Sequence, residues 1–392
     1  MKKNKTIKSF ISLLLLIFAL FSCVDPFEIR YNFDQNILIV EAVLTDKKGE
    51  QKIILKYSTP SPVANNSLIF PFEKANVSIL VNDTEKVQCV ESNIDPGSYI
   101  APASFFAEPN KTYRLSIISE NGQSYRSDLQ KLEPPQVIKK VYHTLKITGS
   151  EQNRSYIVNH AIYVDAEDPA GFGNNYLWDW KLYEIQQICK TCNPGEKFFY
   201  REYPPFGKCV QTPGTFLSSI VYDYNCDGKC WEIIRSTSIN ILNDEFVDGK
   251  TITARLVAEL PIYQETGALF EVSQKSISKA AYHYYKILED QTERTGTFAD
   301  TPPNSLIGNI KNTDENSSES VVGYFHVAGL TTMKYWLDRK DLSGIKYKTI
   351  GLLGGRAKTF EPMPPNGLGA TMAPCLNGYY RTNTEPEGWV NN

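Results

Sequence analysis

The sequence predicts a mainly β protein with two antiparallel β-sandwich domains and one helix in the second domain. Aromatic residues make up 12% of the chain and include 23 tyrosines, and aromatic residues favour strands. Short segments with period-two alternation recur at roughly eight- to twelve-residue spacing, with Gly, Pro, Asn and Asp between them. Long runs of Ala, Glu and Leu, which favour long helices, do not occur.

The start of the chain predicts a lipoprotein signal peptide. Lysines near the N-terminus precede an apolar run from Phe10 to Phe21, a pattern typical of secretory signals. This run is shorter than the roughly 20 residues that a helix needs to cross a bilayer. The motif Leu20-Phe-Ser-Cys23 resembles a bacterial lipobox, in which the cysteine becomes the lipid-modified N-terminus. We therefore expect a signal peptide over residues 1–22, a lipid on Cys23 and a tether over residues 23–36. The alternative is an ordinary secretory signal with an incidental cysteine.

The charge of the mature chain argues against some classes of partner. The full chain has a formal charge of −3, and cleavage before Cys23 would remove four lysines and no acidic residue, which gives −7. Nucleic-acid binding needs a basic face, and anionic lipid attracts basic segments. We therefore expect no nucleic-acid partner, and a membrane attachment that depends on the lipid of Cys23.

Residues 37–133 predict the first sandwich, of immunoglobulin or transthyretin-like type. Alternating or β-branched segments predict strands at 36–44, 51–57, 75–81, 86–90, 98–100, 112–118 and 123–127. Turns are predicted at Asp95-Pro-Gly97 and at Glu120-Asn-Gly122. Short strands with frequent turns are typical of an antiparallel sandwich. Pro134-Pro135 marks its end.

Residues 136–392 predict a second β-rich domain. Strands are predicted at 137–147, 156–164, 176–185, 251–257, 268–272, 323–328 and 346–350, and a Cys-rich insert spans 189–230. One helix is predicted over about 277–294, because apolar residues from Ile277 to Leu288 recur at helical spacing. Ser276 or Ser278 could cap its start.

One stretch of the second domain resembles a known family. From Tyr282 to Ala328 the chain contains Tyr282-His-Tyr-Tyr-Lys-Ile-Leu, Pro302-Pro303, Gly308-Asn-Ile310 and Gly323-Tyr-Phe-His-Val. In order and spacing these motifs resemble a Bacteroidota outer-membrane lipoprotein family known as a domain of unknown function, of the DUF4249 type. The resemblance implies an accessory role beside a TonB-dependent receptor, a β-barrel of the outer membrane. It carries no catalytic residue over to this chain.

The cysteines of the second domain predict disulfides. Secretion places them in an oxidising compartment, and their pairing is left open; they are Cys189, Cys192, Cys209, Cys226, Cys230 and Cys375. The alternative is a zinc site, because Cys189-x-x-Cys192 and Cys226-x-x-x-Cys230 could together supply four thiolates. Cys89 lies in a predicted strand, and we expect it to be a buried free thiol.

A possible calcium loop begins at Asp223. Asp223, Asn225 and Asp227 stand at positions one, three and five, with Gly228 at position six. Position twelve is Ile234, where such a loop needs a bidentate glutamate. This segment is therefore predicted to be a turn between cysteines, with calcium as the alternative.

Aromatic residues in the insert predict a contact surface. The segment is flanked by cysteines, which could hold it as a rigid binding loop; its aromatic residues are Phe198, Phe199, Tyr200, Tyr203 and Phe206.

The sequence predicts a non-catalytic protein. It contains no recognisable nucleophile, phosphate-binding or metalloprotease motif, and the histidines at 143, 160, 283 and 326 are scattered. We expect no cofactor. We expect a lipid-anchored protein on the extracellular face of the outer membrane that binds a TonB-dependent receptor or its ligand. The alternatives are a carbohydrate-binding or hydrolytic protein and a structural or adhesion protein of the envelope.

Overall fold

A computed structural model gives the fold of most of the chain. It describes residues 37–49, 51–60, 67–93, 95–150, 155–190, 196–198, 209–211, 223–293, 306–314, 320–352, 372–373 and 375–391. Among these residues no helix is both long enough and apolar enough to cross a membrane. The mainly β class predicted from the sequence is confirmed.

The described strands are numbered in chain order. The first ten are β1 (Ile37–Thr45), β2 (Lys52–Pro60), β3 (Ser67–Pro71), β4 (Asn76–Val81), β5 (Glu85–Gln88), β6 (Val90–Glu91), β7 (Ser98–Ile100), β8 (Thr112–Ile118), β9 (Ser124–Ser127) and β10 (Gln130–Lys131). The next eight are β11 (Ile138–Ser150), β12 (Ser155–Glu167), β13 (Asn175–Ile185), β14 (Ile188–Lys190), β15 (Glu196–Phe198), β16 (Cys209–Gln211), β17 (Asp223–Cys226) and β18 (Trp231–Arg235). The last are β19 (Asn240–Asn243), β20 (Thr251–Pro261), β21 (Ala268–Ser276), β22 (Ile310–Asn312), β23 (Ser320–Leu337), β24 (Met372–Ala373) and β25 (Arg381–Thr382).

One large sheet joins residues of both predicted domains. Its strand order is β25-β18-β13-β21-β23-β1-β2-β7-β6, with β19 on β13 and β3 on β2. The long strand β23 makes this continuity possible. Its first half pairs in parallel with β1, from Ser320 opposite Ile37 to Ala328 opposite Thr45. Its second half pairs with β21 in antiparallel register, from Gly329 opposite Ser276 to Leu337 opposite Ala268.

Two smaller sheets cover the two ends of the large sheet. The order β22-β9-β8-β4-β5, with β10 on β8, forms one, and β11-β12-β20 forms the other. The first core lies between β1, β2 and β23 and the six-stranded sheet, and includes Leu55, Leu115 and Phe325. The second lies against the three-stranded sheet and includes Ile162, Trp178 and Phe270. These pairs of sheets fit the predicted β-sandwich description. The domain boundaries stay a prediction.

The predicted helix is present as α1 (Lys279–Glu293). The Ser278 hydroxyl accepts a hydrogen bond from the Ala281 backbone N–H at 3.2 Å, so Ser278 caps the helix. Ala281 and Tyr284 pack against Leu177 and Tyr324 of the large sheet. The helix therefore covers the junction between β13, β19 and β23.

The prediction of a strand at residues 346–350 is wrong. This segment has no strand geometry, and its described backbone bonds run from Ile350 and Gly351 to the carbonyls of Ile262 and Tyr263. The apolar alternation there reflects partial packing of Ile345 and Tyr347 against a small cluster around Val158.

Candidate functional site

A cleft lies between the β2–β3 hairpin and the C-terminal segment. It has a volume of about 370 Å³, and its lining includes Ile69, Phe70, Tyr379 and Tyr380 together with charged residues. Ile69 is 61% exposed and Phe70 is 41% exposed. This size lies in the usual range for ligand-binding pockets, about 300–1,000 Å³.

The hairpin strand β3 is an apolar edge of the large sheet. Its residues Leu68, Ile69 and Phe70 are all exposed, although consecutive side chains of a strand point to opposite faces. Among the described residues β3 pairs only with β2. Exposed apolar edge strands tend to recruit another chain, so β3 has the properties of a docking edge.

The backbone holds Tyr379 and Tyr380 in place. The Tyr380 carbonyl accepts the Ile233 N–H at 2.7 Å, and the Tyr379 carbonyl accepts two bonds from the Arg235 guanidinium at 3.2 and 3.1 Å. The two rings lie edge to face, with centroids 4.7 Å apart. The aromatic wall of the cleft is therefore fixed against β18.

The charges of the cleft are paired. Lys56 Nζ lies 2.9 Å from Glu41 Oε1, and Lys52 forms an ion pair with Asp95. Lys52 and Arg235 also lie over the Tyr379 ring, at 5.3 and 4.3 Å from its centroid. Phe70 stacks on Tyr57 at 5.4 Å. Cations therefore cover part of the Tyr379 ring, and Tyr57 covers part of the Phe70 ring.

Two disulfides fix the base of the insert and the C-terminal segment. They join Cys189 to Cys226 and Cys230 to Cys375. All four cysteines are buried in one cluster. Three of these sulfur atoms lie close enough together to hold a metal, but a disulfide offers no thiolate ligand. The disulfide interpretation is supported for these four residues.

Two further cysteines are predicted to form disulfides, Cys192 and Cys209. Cys192 lies outside the described residues, and only the backbone of Cys209 is described, so their pairing stays a prediction.

Cys89 is a buried free cysteine, as predicted.

The predicted aromatic contact surface also falls largely outside the described residues. Phe199, Tyr200, Tyr203 and Phe206 are not described, and Phe198 is described only as backbone of β15. Cys23 lies outside the described residues too. All of these assignments stay predictions.

The calcium candidate is described in part. For Asp223 and Asn225 only the backbone, in β17, is described. The Asp227 carboxylate accepts the Cys375 N–H at 3.0 Å. Asp227 therefore holds the C-terminal segment beside its disulfide, whereas Asp223 and Asn225 lie in a strand and not in the predicted turn.

A second cluster of polar side chains combines two histidines and an aspartate. His143 Nε2 lies 3.0 Å from Asp341 Oδ2, and His160 Nε2 lies 3.3 Å from Asp341 Oδ1. His143 Nδ1 lies 2.7 Å from the Tyr335 hydroxyl. Burial lowers the pKa of His160 below its usual range, against an opposing effect of Asp341. His160 is therefore held mainly as the neutral imidazole.

The strand register explains why the two histidines meet. His143 on β11 stands opposite Ile162, and His160 on β12 stands opposite Leu145. Residues opposite each other in a sheet share a face, and so do residues two apart on one strand. Since His160 lies two residues from Ile162, both histidines lie on the same face as diagonal neighbours. The sequence placed each in a strand, but the register that joins them could not be read from the sequence alone.

Asp341 lies on a turn that the Arg339 side chain holds in place. It lies in a short 3-10 helix, Lys340–Leu342, which follows Arg339 in a left-handed conformation, φ 57°. The Arg339 side chain pairs with buried Glu184 and donates to the Gln264 carbonyl at 2.7 Å. The turn that carries Asp341 is therefore fixed to β13 through Arg339.

A third cluster, formed by Asp168, Asp244 and Asp248, has a structural role. Asp168 accepts the Gly249 N–H at 2.9 Å, Asp244 accepts the Gly173 N–H at 2.8 Å, and Asp248 accepts the Gly171 N–H at 2.6 Å. Each carboxylate is therefore used to hold the two loops of this end of the molecule together.

The comparison with protein families identifies the chain at the level of a domain family. A family model described as Domain of unknown function (DUF4249) matches residues 24–334. The match begins directly after Cys23 and ends within β23, so Asp341, Tyr379 and Tyr380 lie beyond it. No curated protein matches the chain. Since the match covers most of the sequence, the chain belongs to the DUF4249 family.

Proposed function

We propose that this protein is a non-catalytic, lipid-anchored outer-membrane protein of Bacteroidota that binds the extracellular side of a TonB-dependent receptor. The observation that carries the proposal is the apolar edge strand β3 beside the cleft, where Leu68, Ile69 and Phe70 are exposed together. An extended receptor segment would cover this edge by adding a strand to it. The Tyr379–Tyr380 pair would then pack against the side chains of that segment.

The position of the cleft near the start of the chain supports the proposal that its partner lies in the membrane. Its residue Glu41 lies on β1, which follows the tether over residues 23–36. Fully extended, a tether of this length spans on the order of 50 Å. A lipid on Cys23 would therefore keep the cleft within reach of the surface loops of a membrane-embedded receptor.

The first experiment tests the partner. The full chain, with a C-terminal affinity tag, is purified from outer membranes in mild detergent and its companions are identified by mass spectrometry. We expect a β-barrel receptor in near-equal amount. Ile69→Asp should reduce its recovery at least tenfold, because a charge on the edge strand opposes apolar docking.

Ile157→Asp is the matched control. Ile157 also lies on a strand and is 62% exposed, against 61% for Ile69, but it is far from the cleft in sequence and lies on β12. Receptor recovery should be unchanged in this variant. Protein that is purified without a receptor, or equal recovery with Ile69→Asp, would contradict the proposal.

The membrane anchor is tested separately. Cys23→Ala should abolish incorporation of a labelled fatty acid and release the protein from the membrane fraction. Retention of the label in this variant would contradict lipidation at Cys23 without bearing on the docking edge.

The predicted insert surface remains a second contact candidate. Phe199→Ala and Tyr203→Ala are examined in the same purification. Loss of the receptor in these variants, with Ile69→Asp unaffected, would move the contact surface from β3 to the insert.

A carbohydrate ligand is the second candidate function, favoured by the volume of the cleft and its aromatic wall. Glycan binding by the purified protein, lost in Tyr380→Ala and kept in Ile157→Asp, would support it.

A further inference from the structure

Two imidazoles and one carboxylate converge where the β11–β12 pair meets the turn after β23. We propose that His143, His160 and Asp341 form a binding site for a single divalent metal ion of the zinc class. This site is separate from the cleft of the proposed function, and it does not depend on a receptor.

The spacing of the ligand atoms fits such an ion. The candidate ligand atoms of the three residues all lie within 4.8 Å of one another. The two histidine-to-aspartate distances are 3.0 and 3.3 Å. Two ligands of a tetrahedral ion with bonds of about 2.0–2.1 Å lie about 3.3 Å apart. The side chains therefore need only small movements to accept the ion.

The chemistry of the ligand set selects the class of metal. Two imidazole nitrogens and one carboxylate oxygen suit zinc and neighbouring borderline ions. Calcium and magnesium prefer oxygen ligands alone. Zinc sites with three protein ligands usually keep a fourth position for water. Asp341 is 30% exposed and His143 is 17% exposed at the side chain, so water can reach the site.

Neighbouring residues position the ligands. Tyr335 Oη lies 2.7 Å from His143 Nδ1 and can accept its N–H, which leaves the lone pair of Nε2 for a metal. Metal-ligating histidines commonly donate their second N–H in this way. Arg339 fixes the turn that carries Asp341 by its bonds to Glu184 and to the Gln264 carbonyl. Tyr335 and Arg339 are therefore positioning residues.

The metal-free alternative is a hydrogen-bonded cluster. In that arrangement each histidine donates its Nε2 proton to Asp341. Among the described residues no group forms a hydrogen bond with His160 Nδ1. The surroundings of this atom therefore do not show which of the two ring nitrogens of His160 carries the proton. Direct measurement of metal binding distinguishes the two arrangements.

The test measures metal binding by the full chain. Protein with a tag free of histidine is purified in detergent without reductant, stripped with chelator, and titrated with Zn²⁺ by calorimetry. Co²⁺ is added in a parallel experiment, because its visible absorption reports nitrogen and oxygen ligands. We expect one equivalent of Zn²⁺ to bind, in competition with Co²⁺.

The variants are chosen so that they keep the fold. His143→Gln and Asp341→Asn change partly exposed residues, and each should weaken Zn²⁺ binding at least tenfold. Tyr335→Phe should weaken it roughly ten- to a hundredfold, as removal of an outer hydrogen bond to a ligating histidine does. His283→Gln is the control, because His283 is an exposed histidine on α1, and it should bind Zn²⁺ as the unchanged protein does.

Two outcomes would overturn the proposal. The first is no Zn²⁺ binding by the unchanged protein, which would leave a hydrogen-bonded cluster only. The second is Zn²⁺ binding that survives both His143→Gln and Asp341→Asn, which would place the metal elsewhere. Circular dichroism on each variant confirms that the fold is present when binding is measured.

Discussion

Glu184 and Arg339 form an ion pair in the interior, with side-chain exposures of 0% and 1%. Glu184 lies on β13, and Arg339 begins the turn after β23. Gln264 also donates to Glu184, at 2.9 Å. The pair therefore joins three segments that are distant in sequence, and it fixes the turn on which Asp341 lies.

Glu184→Gln should destabilise the protein by about 3–5 kcal/mol. Glutamine keeps the shape of the side chain but leaves the Arg339 charge buried without a counter-ion, and breaking a buried pair on one side has a cost of this size. The free energy of unfolding is measured by urea denaturation. Lys56→Gln is the control, because it breaks the exposed pair with Glu41, which should change stability by about 0–1 kcal/mol. Equal effects of the two variants would contradict the importance of the buried pair.

His326 should make the protein less stable in mild acid. Burial, with a smaller contribution from the charge of Lys275, lowers the pKa of His326 to about 3, against roughly 6.5 in an unfolded chain. Between these values the unfolded state holds a proton that the folded state lacks. The free energy of unfolding therefore falls as pH falls, and His326 should contribute a loss of about 2 kcal/mol between pH 7 and pH 5.

The contribution of His326 is isolated by substitution. In His326→Gln the loss of stability between pH 7 and pH 5 should be smaller by about 2 kcal/mol. The facing groups titrate outside this window: burial places the pKa of Lys275 at about 8, and the Tyr285 hydroxyl, 3.5 Å from Nδ1, has a raised pKa. His283→Gln, on the exposed helix face, should leave the pH dependence unchanged. An unchanged slope in His326→Gln would contradict the assignment.

Local features of the fold could be predicted from the sequence. The helix and its Ser278 cap follow from helical spacing and a capping hydroxyl. The hairpin at Gly122 follows from Glu120-Asn-Gly122, and Ile118 indeed pairs with Ser124 across it. Such features depend on neighbouring residues alone, and the local sequence determines them.

Long-range features could not be predicted. The sequence predicts a strand only at residues 323–328 of β23, and Gly329, Thr331 and Lys334 interrupt the apolar alternation beyond them. Pairing with β1 and β21 extends the strand over its full length. The position of the cleft could not be predicted from the sequence either. Tyr379 and Tyr380 belong to a loop-like segment, and their place beside β3 depends on β18 and on the Cys230–Cys375 disulfide.

Removal of the Cys230–Cys375 disulfide should loosen the C-terminal segment. The bond spans 145 residues of sequence, and loss of a native disulfide typically costs about 2–5 kcal/mol. The double variant Cys230→Ala and Cys375→Ala should lose this stability, and hydrogen exchange at Arg381 and Thr382 should become faster. Cys89→Ala is the control, because Cys89 is free, and exchange in the C-terminal segment should not change. Non-reducing peptide mapping that pairs Cys230 with another cysteine would contradict the assignment.

Gly323→Ala should disrupt the contact between β1 and β23. Gly323 has φ +141°, a backbone conformation that residues with a side chain rarely adopt, and a Cβ atom there would overlap the Val40 carbonyl. Strain and steric overlap together should destabilise the protein by about 2–5 kcal/mol, measured by urea denaturation. Hydrogen exchange should become faster along Ile37–Thr45.

Gly378→Ala is the matched control, because a Cβ atom at Gly378 meets nothing within 4 Å, and its effect should stay within about 0.5 kcal/mol. A Gly323→Ala protein as stable as this control would show that the parallel β1–β23 pairing tolerates a side chain at this position, and that the close backbone approach does not constrain the centre of the large sheet.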